Sequence, residues 1–412
     1  MDKVRERVWL GLQAVMLNGQ YASLWMRNNL NDLSRDQRRW VTQVLYGVLR
    51  YREPVRYQWS DLVRRPPADR IALLLDMSVY QLFWLDQNAD YAVVNEMVQL
   101  CPKAQKGLVN AVLHRVIARG RRPQPESDAM EDLALRTSHP QWLLKMWAAQ
   151  YSPETMRRIA LADLQPGSVA VRINPLKLSA EQLAQRPEVT LDENGWTLKM
   201  TGNPLHDPWF EQGRIVVQDP SSQQAALWLD PKPGERVLDV CSAPGTKTTQ
   251  MAAMMNNRGT ILACDLYEHR LRLVEQAAQK QGATIITTRQ MDALKADQML
   301  AADQFDKVLM DVPCSGLGVL RHKPEILCHL RPEDLDQIIL LQRQILDHVS
   351  GLVKPGGSFV YSTCTLNRKE NEKQIEAFLR DHPDFSLVRQ QTRFPFEADQ
   401  DGFYIAKVIR KP

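Results

Sequence analysis

The stretch Glu235–Gln250, ERVLDVCSAPGTKTTQ, decides the fold. It reads as a short buried strand, Arg236–Cys241, a tight loop holding Pro244 and Gly245, and the start of a helix at Lys247. An apolar run that enters a glycine-containing turn and leaves as a helix presents backbone N–H groups to a ligand in an open α/β sheet. A second apolar run, GTILACD, ends in Asp265. Such sheets use an acidic residue at the end of the second strand to hold two ribose hydroxyls. The expected ligand is therefore a nucleoside-containing cofactor.

Exclusion narrows the cofactor. A dinucleotide site wants Gly-x-Gly-x-x-Gly, and this loop has a single glycine. A phosphate loop wants Gly-Lys-Ser/Thr, but Thr246 separates Gly245 from Lys247. Without phosphate-cradling glycines, the better candidate is an adenosyl compound that lacks phosphates, S-adenosylmethionine. The plainer alternative is a strand–turn–helix with no ligand.

Downstream the pattern is regular. Apolar strands are expected at Val237–Cys241, Thr260–Cys264, Ala283–Thr288, Phe305–Asp311 and Gly357–Ser362, with helices at Lys247–Met255, Glu268–Gln281 and Pro332–Leu352. This alternation predicts a mainly parallel, Rossmann-like sheet covered on both faces. Phe385–Arg389 and Phe403–Arg410 have no long helix between them and are expected to pair antiparallel at the sheet edge. Ligands bind outside the carboxyl ends of such strands. The residues placed there are Cys241, Asp265, Asp292, Asp311–Cys314 and Ser362–Cys364.

Upstream, Met1–Arg119 is expected to be all-helical, with apolar residues at helical spacing in Val4, Val8, Leu12, Val15 and in Trp40, Val44, Leu45, Val48. Arg35, Arg38, Arg39, Arg50 and Arg52 flank one helix and are candidates to face RNA, with a solvated surface as the alternative. Ala118–Asp128, ARGRRPQPESD, marks a boundary. Ala129–Leu164 is again helical, with Trp142, Leu143, Met146 and Trp147 expected to be buried. Ser168–Asn174 alternates as a strand, Ser179 caps a short helix, and Val189–Met200 reads strand, turn, strand. Such a mixed module commonly serves as an RNA platform, although no aromatic RNP signature is present. Three parts are expected: a helical domain over 1–125, linker helices with a small α+β RNA-binding module over 129–230, and an α/β catalytic domain over 231–412.

Charge is uneven. Met1–Ser127 holds 19 Lys and Arg against 12 Asp and Glu, a net +7, while the remainder of the chain sums to −3. A basic amino-terminal block suggests a polyanionic partner, most simply RNA. No run of eighteen apolar residues occurs, so no transmembrane helix is expected, and no membrane is expected among the partners. Six cysteines without a C-x-x-C pair argue against a zinc site or a disulfide framework and for a reduced, cytoplasmic protein.

Two of those cysteines matter most. FDKVLMDVPCSG (Phe305–Gly316) and GSFVYSTCT (Gly357–Thr365) are strands that end in polar turns carrying Cys314 and Cys364. Cys101, Cys264 and Cys328 read as small core residues. Paired thiols beside a carboxylate suit pyrimidine methylation. Carbon 5 of cytosine is too weak a nucleophile until a thiolate adds to carbon 6, which makes carbon 5 enamine-like. Asp311 is placed to stabilise the adduct at N3, and the target base must be single-stranded or flipped out.

VLDVCSAPGTKT, MDVPCSG and YSTCT together resemble the RNA cytosine-5 methyltransferases of the Nol1/Nop2/Sun family. The resemblance extends through VQDPSSQ (Val217–Gln223), NRKENE (Asn367–Glu372) and DGFYIAK (Asp401–Lys407), with Thr246 standing where many members carry glycine. VLYGVLRY (Val44–Tyr51) and KGLVNAVLHRV (Lys106–Val116) are similar to the helical RNA-binding fold of NusB, and SHPQWLLKMW (Ser138–Trp147) to the connecting segment of the bacterial members.

The resemblance implies that Cys241, Ser242, Ala243, Pro244, Gly245, Thr246 and Lys247 hold S-adenosylmethionine, with Asp265 on the ribose and Asp292 bordering the adenine. It implies that Asp311 contacts the methionine end of the cofactor or the target base. It makes Cys364 the nucleophile and Cys314 the residue that assists product release, a division the residues themselves leave open. It implies 16S rRNA as substrate, free before small-subunit assembly, with the cytosine at position 967 as target and a monomeric enzyme that needs no metal. Two alternatives stay open: the same chemistry on tRNA or another rRNA cytosine, and a non-catalytic assembly factor that binds RNA.

Overall fold

In the computed structural model, which describes residues 3–85, 89–127, 129–200 and 203–412, the chain divides into two units. One comprises Met1–Pro166 with Leu320–Leu330, the other Gly167–Val319 with Arg331–Pro412.

The first unit is helical among its described residues, and its centre is the helix Asp69–Phe83. Ile71 to Gln81 are buried without a break, as expected for a helix surrounded by others. The helix Arg35–Arg50 starts at a capping box between Ser34 and Gln37 and buries Val41, Val44, Leu45 and Val48 on one stripe. Gly47 lets that stripe approach the central helix, since a Cβ there would sit 2.0 Å from the Tyr80 hydroxyl. Helices Met130–Thr137, Gln141–Gln150 and Pro153–Ala162 complete the unit, with Leu143 and Trp147 buried as expected and Trp142 and Met146 half-buried. Of the expected boundary Ala118–Asp128, Ala118 and Arg119 end the helix Lys106–Arg119 at Gly120, and Asp128 lies outside the described residues.

Leu320–Leu330, which follows the Pro-Cys motif by a few residues in sequence, packs within this first unit. Arg50 donates to the Arg321 carbonyl at 2.7 Å and Arg52 to the Cys328 sulfur at 3.4 Å. The His329 imidazole pairs with the Val15 carbonyl, and Ala22 N–H donates to Glu325. Two of the five arginines expected to face RNA are therefore spent on holding this segment. Arg35, Arg38 and Arg39 remain exposed. Cys328, expected as a core residue, lies in the short helix Ile326–His329, half-buried against the helical core.

The second unit carries two sheets. The small one is antiparallel, with β1 (Val171–Ile173), β2 (Thr190–Leu191), β3 (Thr197–Lys199) and β4 (Ile215–Val217) in the order β2-β3-β1-β4. Ser179 forms the expected cap of the helix Ala180–Ala184. The large sheet comprises β5 (Arg236–Asp239), β6 (Thr260–Asp265), β7 (Ile286–Gln290), β8 (Phe305–Asp311), β9 (Val353–Thr363), β10 (Phe385–Arg393) and β11 (Phe403–Arg410). Its order is β10-β11-β9-β8-β5-β6-β7, parallel from β9 to β7 and antiparallel at β11 and β10. Buried residues on its two faces form separate clusters, one around Leu238, Val308, Phe359 and Phe378, the other around Val237, Ile261, Leu309 and Ile405. Both faces of the parallel strands are thus covered, as their continuous apolar runs require.

The sequence places the strands well and their ends less well. β5 stops at Asp239, two residues before Cys241, and β7 starts at Ile286 rather than Ala283. The chain runs from β5 outward through β6 and β7, then returns to β8 on the other side of β5. That reversal opens a crevice above the carboxyl ends of β5 and β8.

Candidate active site

The loop after β5 is braced from several sides. Ser242 N–H and Oγ both donate to the Cys264 carbonyl, at 2.8 and 2.9 Å, which fastens the loop to β6. Gly245 adopts φ +99° as the residue before the helix Thr246–Met254, and a Cβ there would lie 3.0 Å from the Val274 backbone. Glycine at this point meets both a left-handed backbone and a close helix approach. The Ala243–Pro244 peptide is cis. Arg172 on β1 donates to the Thr246 carbonyl at 3.1 Å and to Thr249 Oγ1 at 2.9 Å, so the small sheet also holds the loop.

Asp239 ends β5 and is buried. Thr248 Oγ1 donates to its Oδ2 at 2.7 Å, while Oδ1 has no partner. Burial pushes this carboxyl up to about 7, against the Thr248 hydrogen bond, and the nearby Asp311 and Asp265 add to the rise. An orphaned buried acceptor costs free energy unless a ligand supplies a donor or a positive charge. The residues present fit S-adenosylmethionine, whose ammonium and sulfonium are cationic. The loop residues Cys241–Lys247 and the carboxylates of Asp239 and Asp265 would hold it, and its methyl sulfonium would supply an electrophile.

Asp265 ends β6, buried, where Tyr267 N–H donates to it at 3.2 Å and Arg270 approaches at 3.4 Å. Asp292 stands two residues past β7 and accepts from Leu294 N–H at 3.0 Å, capping the turn Ala293–Lys295. The Cys241 thiol is pushed up by burial and by the neighbouring Asp239, Asp265 and Asp311.

Asp311 ends β8, directly opposite Ser362 of β9. Ser362 Oγ donates to one of its oxygens at 2.7 Å and Lys247 Nζ to the other at 2.7 Å. Burial opposes the Lys247 charge, but Asp311 above all, then Cys364 and Asp239, hold the ammonium above its ordinary value. Cys314 and Cys364, 50 residues apart in sequence, bring their sulfurs to 3.3 Å. The hydrogen bond to Cys364 keeps Cys314 protonated well above the ordinary thiol range, and burial and the negative charges of Cys364 and Glu370 act the same way. One thiol thus serves as donor to the other.

Three positions that shape this candidate site escape the sequence reading. Asp239 leaves a trace, a carboxylate inside the apolar run VLDV. Glu370 sits in NRKENE without an evident task. Arg172 lies in a strand that reads as ordinary alternation, and its contacts to residues 74 and 77 positions away leave no local signal.

Residues 226–409 match the family model described as 16S rRNA methyltransferase RsmB/F, 2–118 the NusB family, and 139–198 an RsmF/B-like ferredoxin-like domain. The chain is 36% identical to the probable ribosomal RNA small subunit methyltransferase B of Bacillus subtilis, over 96% of each sequence. It is 31% identical to the ribosomal RNA small subunit methyltransferase B of Escherichia coli, over 97% of each. The crystal structure of a methyltransferase homologue from Pyrococcus horikoshii matches with a TM-score of 0.61 at 29% identity, over 69% of this chain and all of that one.

Proposed function

The chain belongs to the ribosomal RNA small subunit methyltransferase B family, and from that membership we propose that it methylates carbon 5 of a cytosine in 16S rRNA through a covalent adduct between Cys364 and carbon 6. The cofactor is S-adenosylmethionine, which supplies an electrophilic methyl group.

One observation carries the reading: two thiols at 3.3 Å in the turns after β8 and β9, the same strand ends where Lys247 pairs with Asp311. The family resemblance makes Cys364 the nucleophile, and the sulfur–sulfur contact, burial and the charge of Glu370 favour the protonated form of Cys314. The Cys364 thiolate adds to carbon 6, and Asp311 in its protonated form donates to N3, which carries the negative charge of the adduct. Carbon 5 would then take the methyl group of bound S-adenosylmethionine, whose methyl carbon–sulfur bond breaks and which would leave as the neutral thioether. Loss of the carbon 5 proton to a base re-forms the 5,6 double bond, the carbon 6–sulfur bond breaks, and the protonated Cys314 helps discharge the departing thiolate. The exposed Arg35, Arg38 and Arg39 and the NusB-like helices support an RNA partner.

Bisulfite sequencing of rRNA and tRNA from a strain lacking the gene tests this. Loss of one 5-methylcytosine in 16S rRNA is expected. Unchanged 16S rRNA, or a loss confined to tRNA, would overturn the assignment.

A further inference from the structure

Behind the cysteine pair lies a buried carboxylate that the mechanism above does not use. Glu370 is fully buried in the loop that follows β9. Its Oε2 accepts from Ser315 N–H at 2.9 Å and from Gln342 Nε2 at 3.0 Å. Its Oε1 accepts from Ser315 Oγ at 2.6 Å and from Asn367 Nδ2 at 3.0 Å. Because the Ser315 hydroxyl proton goes to Glu370, Ser315 Oγ receives the Thr365 hydroxyl at 2.6 Å, and Thr365 Oγ1 in turn accepts Leu317 N–H.

The pattern is specific to the two turns that carry the thiols. Residues on both sides of Cys314 are pinned, since Gln342 also donates to the Pro313 carbonyl at 2.9 Å. Residues on both sides of Cys364 are pinned as well. Thr363 Oγ1 donates to Asn371 Oδ1, and Asn371 Nδ2 donates to the Thr365 carbonyl at 2.9 Å. The Cys364 carbonyl accepts Gly318 N–H at 3.0 Å. The Glu370 carbonyl takes the Tyr361 hydroxyl at 2.7 Å, which ties the loop back to β9. Four donors on two oxygens suit a carboxylate, which accepts at both oxygens and donates at neither. An amide at this point would turn an NH2 toward two donors.

We propose that Glu370 is the positioning residue of the cysteine pair: its carboxylate fixes the Ser315 and Thr365 ends of the two thiol-bearing turns and so sets the approach of Cys314 to Cys364. The proposal rests on the reading of these cysteines as a catalytic pair. Glu370 contributes in two ways. Geometrically, it makes the two turns one body, so the thiols meet without side-chain searching. Electrostatically, the groups that face Cys314 are Cys364, Glu370 and Tyr361, while Lys247, paired with Asp311, faces Cys364. The negative charge of Glu370 therefore favours the protonated form of Cys314 without a direct contact to either sulfur.

The test uses the full chain with E370Q, E370D and S315A. Without RNA, each thiol is alkylated with iodoacetamide across a pH series and quantified by mass spectrometry. Removing the Glu370 charge and loosening the approach of the two thiols should move the Cys314 profile of E370Q down by roughly one pH unit. With RNA and cofactor, methyl transfer by E370Q should fall by about tenfold or more while cofactor affinity stays within about twofold. E370D keeps the acceptors on a shorter stem and should recover part of that rate. S315A removes the hydroxyl relay but keeps the N–H contact, and should move both readouts in the same direction by less; it decides the matter if E370Q does not fold. An unmoved Cys314 profile, or cofactor affinity falling as far as turnover, would overturn the proposal. Wild-type protein that neither methylates cytosine nor forms an adduct would remove the catalytic reading alone, because the alkylation series still reports whether Glu370 sets the thiols.

Discussion

Lys247 Nζ lies 2.7 Å from Asp311 Oδ2, so the first residues of the cofactor-loop helix and the end of β8 share one ion pair. The pair spans 64 residues of sequence and joins the cofactor side of the crevice to the cysteine side. Lys247 is the more buried partner, with 13% of its side chain exposed against 26% for Asp311. Removing the carboxylate should therefore cost more than removing the amine. Asp311→Asn is expected to lose about 3 kcal/mol of unfolding free energy and Lys247→Met about 2, since an unpaired buried charge is the main penalty. The double variant should lose less than the two together. Urea unfolding of the four proteins gives the coupling, and additive losses would show the pair to be energetically idle.

Asp239 should trade stability for cofactor binding. In the unfolded chain its carboxyl titrates near the ordinary 3.8, and in the folded protein burial raises it to about 7. The folded state thus binds the extra proton between these values. The stability this proton confers is fully present below about pH 4 and lost as pH rises through about 7. The loss is at most about 4 kcal/mol. Asp239→Asn removes the charge but can still accept from Thr248. Without cofactor, the variant should unfold at higher denaturant than wild type at pH 8 and lose that advantage at pH 4, while binding S-adenosylmethionine more weakly. An advantage of equal size at both pH values would refute the assignment.

Arg172 is fully buried with only neutral acceptors: Gln218, the Ile173 and Thr246 carbonyls, Thr249 and Gln281. Burial lowers its guanidinium to about 9. The planar fork fits five oxygens that a lysine could not span. Arg172→Lys should lose about 3 kcal/mol of stability through unpaired acceptors. It should also weaken cofactor binding, because the Thr246 carbonyl is released at the start of the loop helix. Calorimetric titration of the variant with S-adenosylmethionine checks this, and full affinity would mean that β1 does not brace the loop.

These cases mark the limit of what sequence alone shows. Strand, turn and helix at Glu235–Gln250 are written locally, by an apolar run, Pro244 and Gly245, and so are the cysteine-bearing strand ends. The parallel direction of the central strands follows from alternation. What escaped is long-range and polar. Arg172, Glu370 and the Lys247–Asp311 pair depend on residues 28 to 109 positions away, a separation that leaves no periodicity to read. The same limit explains Arg50 and Arg52, which look like a basic helix face until the Leu320–Leu330 segment packs against them.

The exposed Arg35, Arg38 and Arg39 remain as the test of RNA binding on that helix. Replacing all three with Gln should flatten the salt dependence of RNA affinity, by roughly 0.7 in the log–log slope for each phosphate that is no longer neutralised. Filter binding between low and moderate salt measures it. Identical slopes would place the RNA on another surface.

The two thiols should fail in different ways. If Cys364 attacks carbon 6, Cys364→Ala has no nucleophile and forms no covalent RNA adduct. If Cys314 acts only when the adduct is dismantled, Cys314→Ala still attacks and transfers the methyl group, then stalls as a protein–RNA complex that survives a denaturing gel. The 3.3 Å approach of the sulfurs sharpens this. Cys314→Ala removes the sulfur–sulfur contact at Cys364, so the first step should slow while the trapped complex still accumulates. The double variant should behave like Cys364→Ala, because attack precedes release. Two inert core cysteines would instead give small, similar stability losses and no trapped RNA in either variant. A stable adduct with Cys364→Ala but none with Cys314→Ala would exchange the two roles, and would also require the proton at Cys314 to leave before attack, against the burial and the neighbouring negative charges that hold it there.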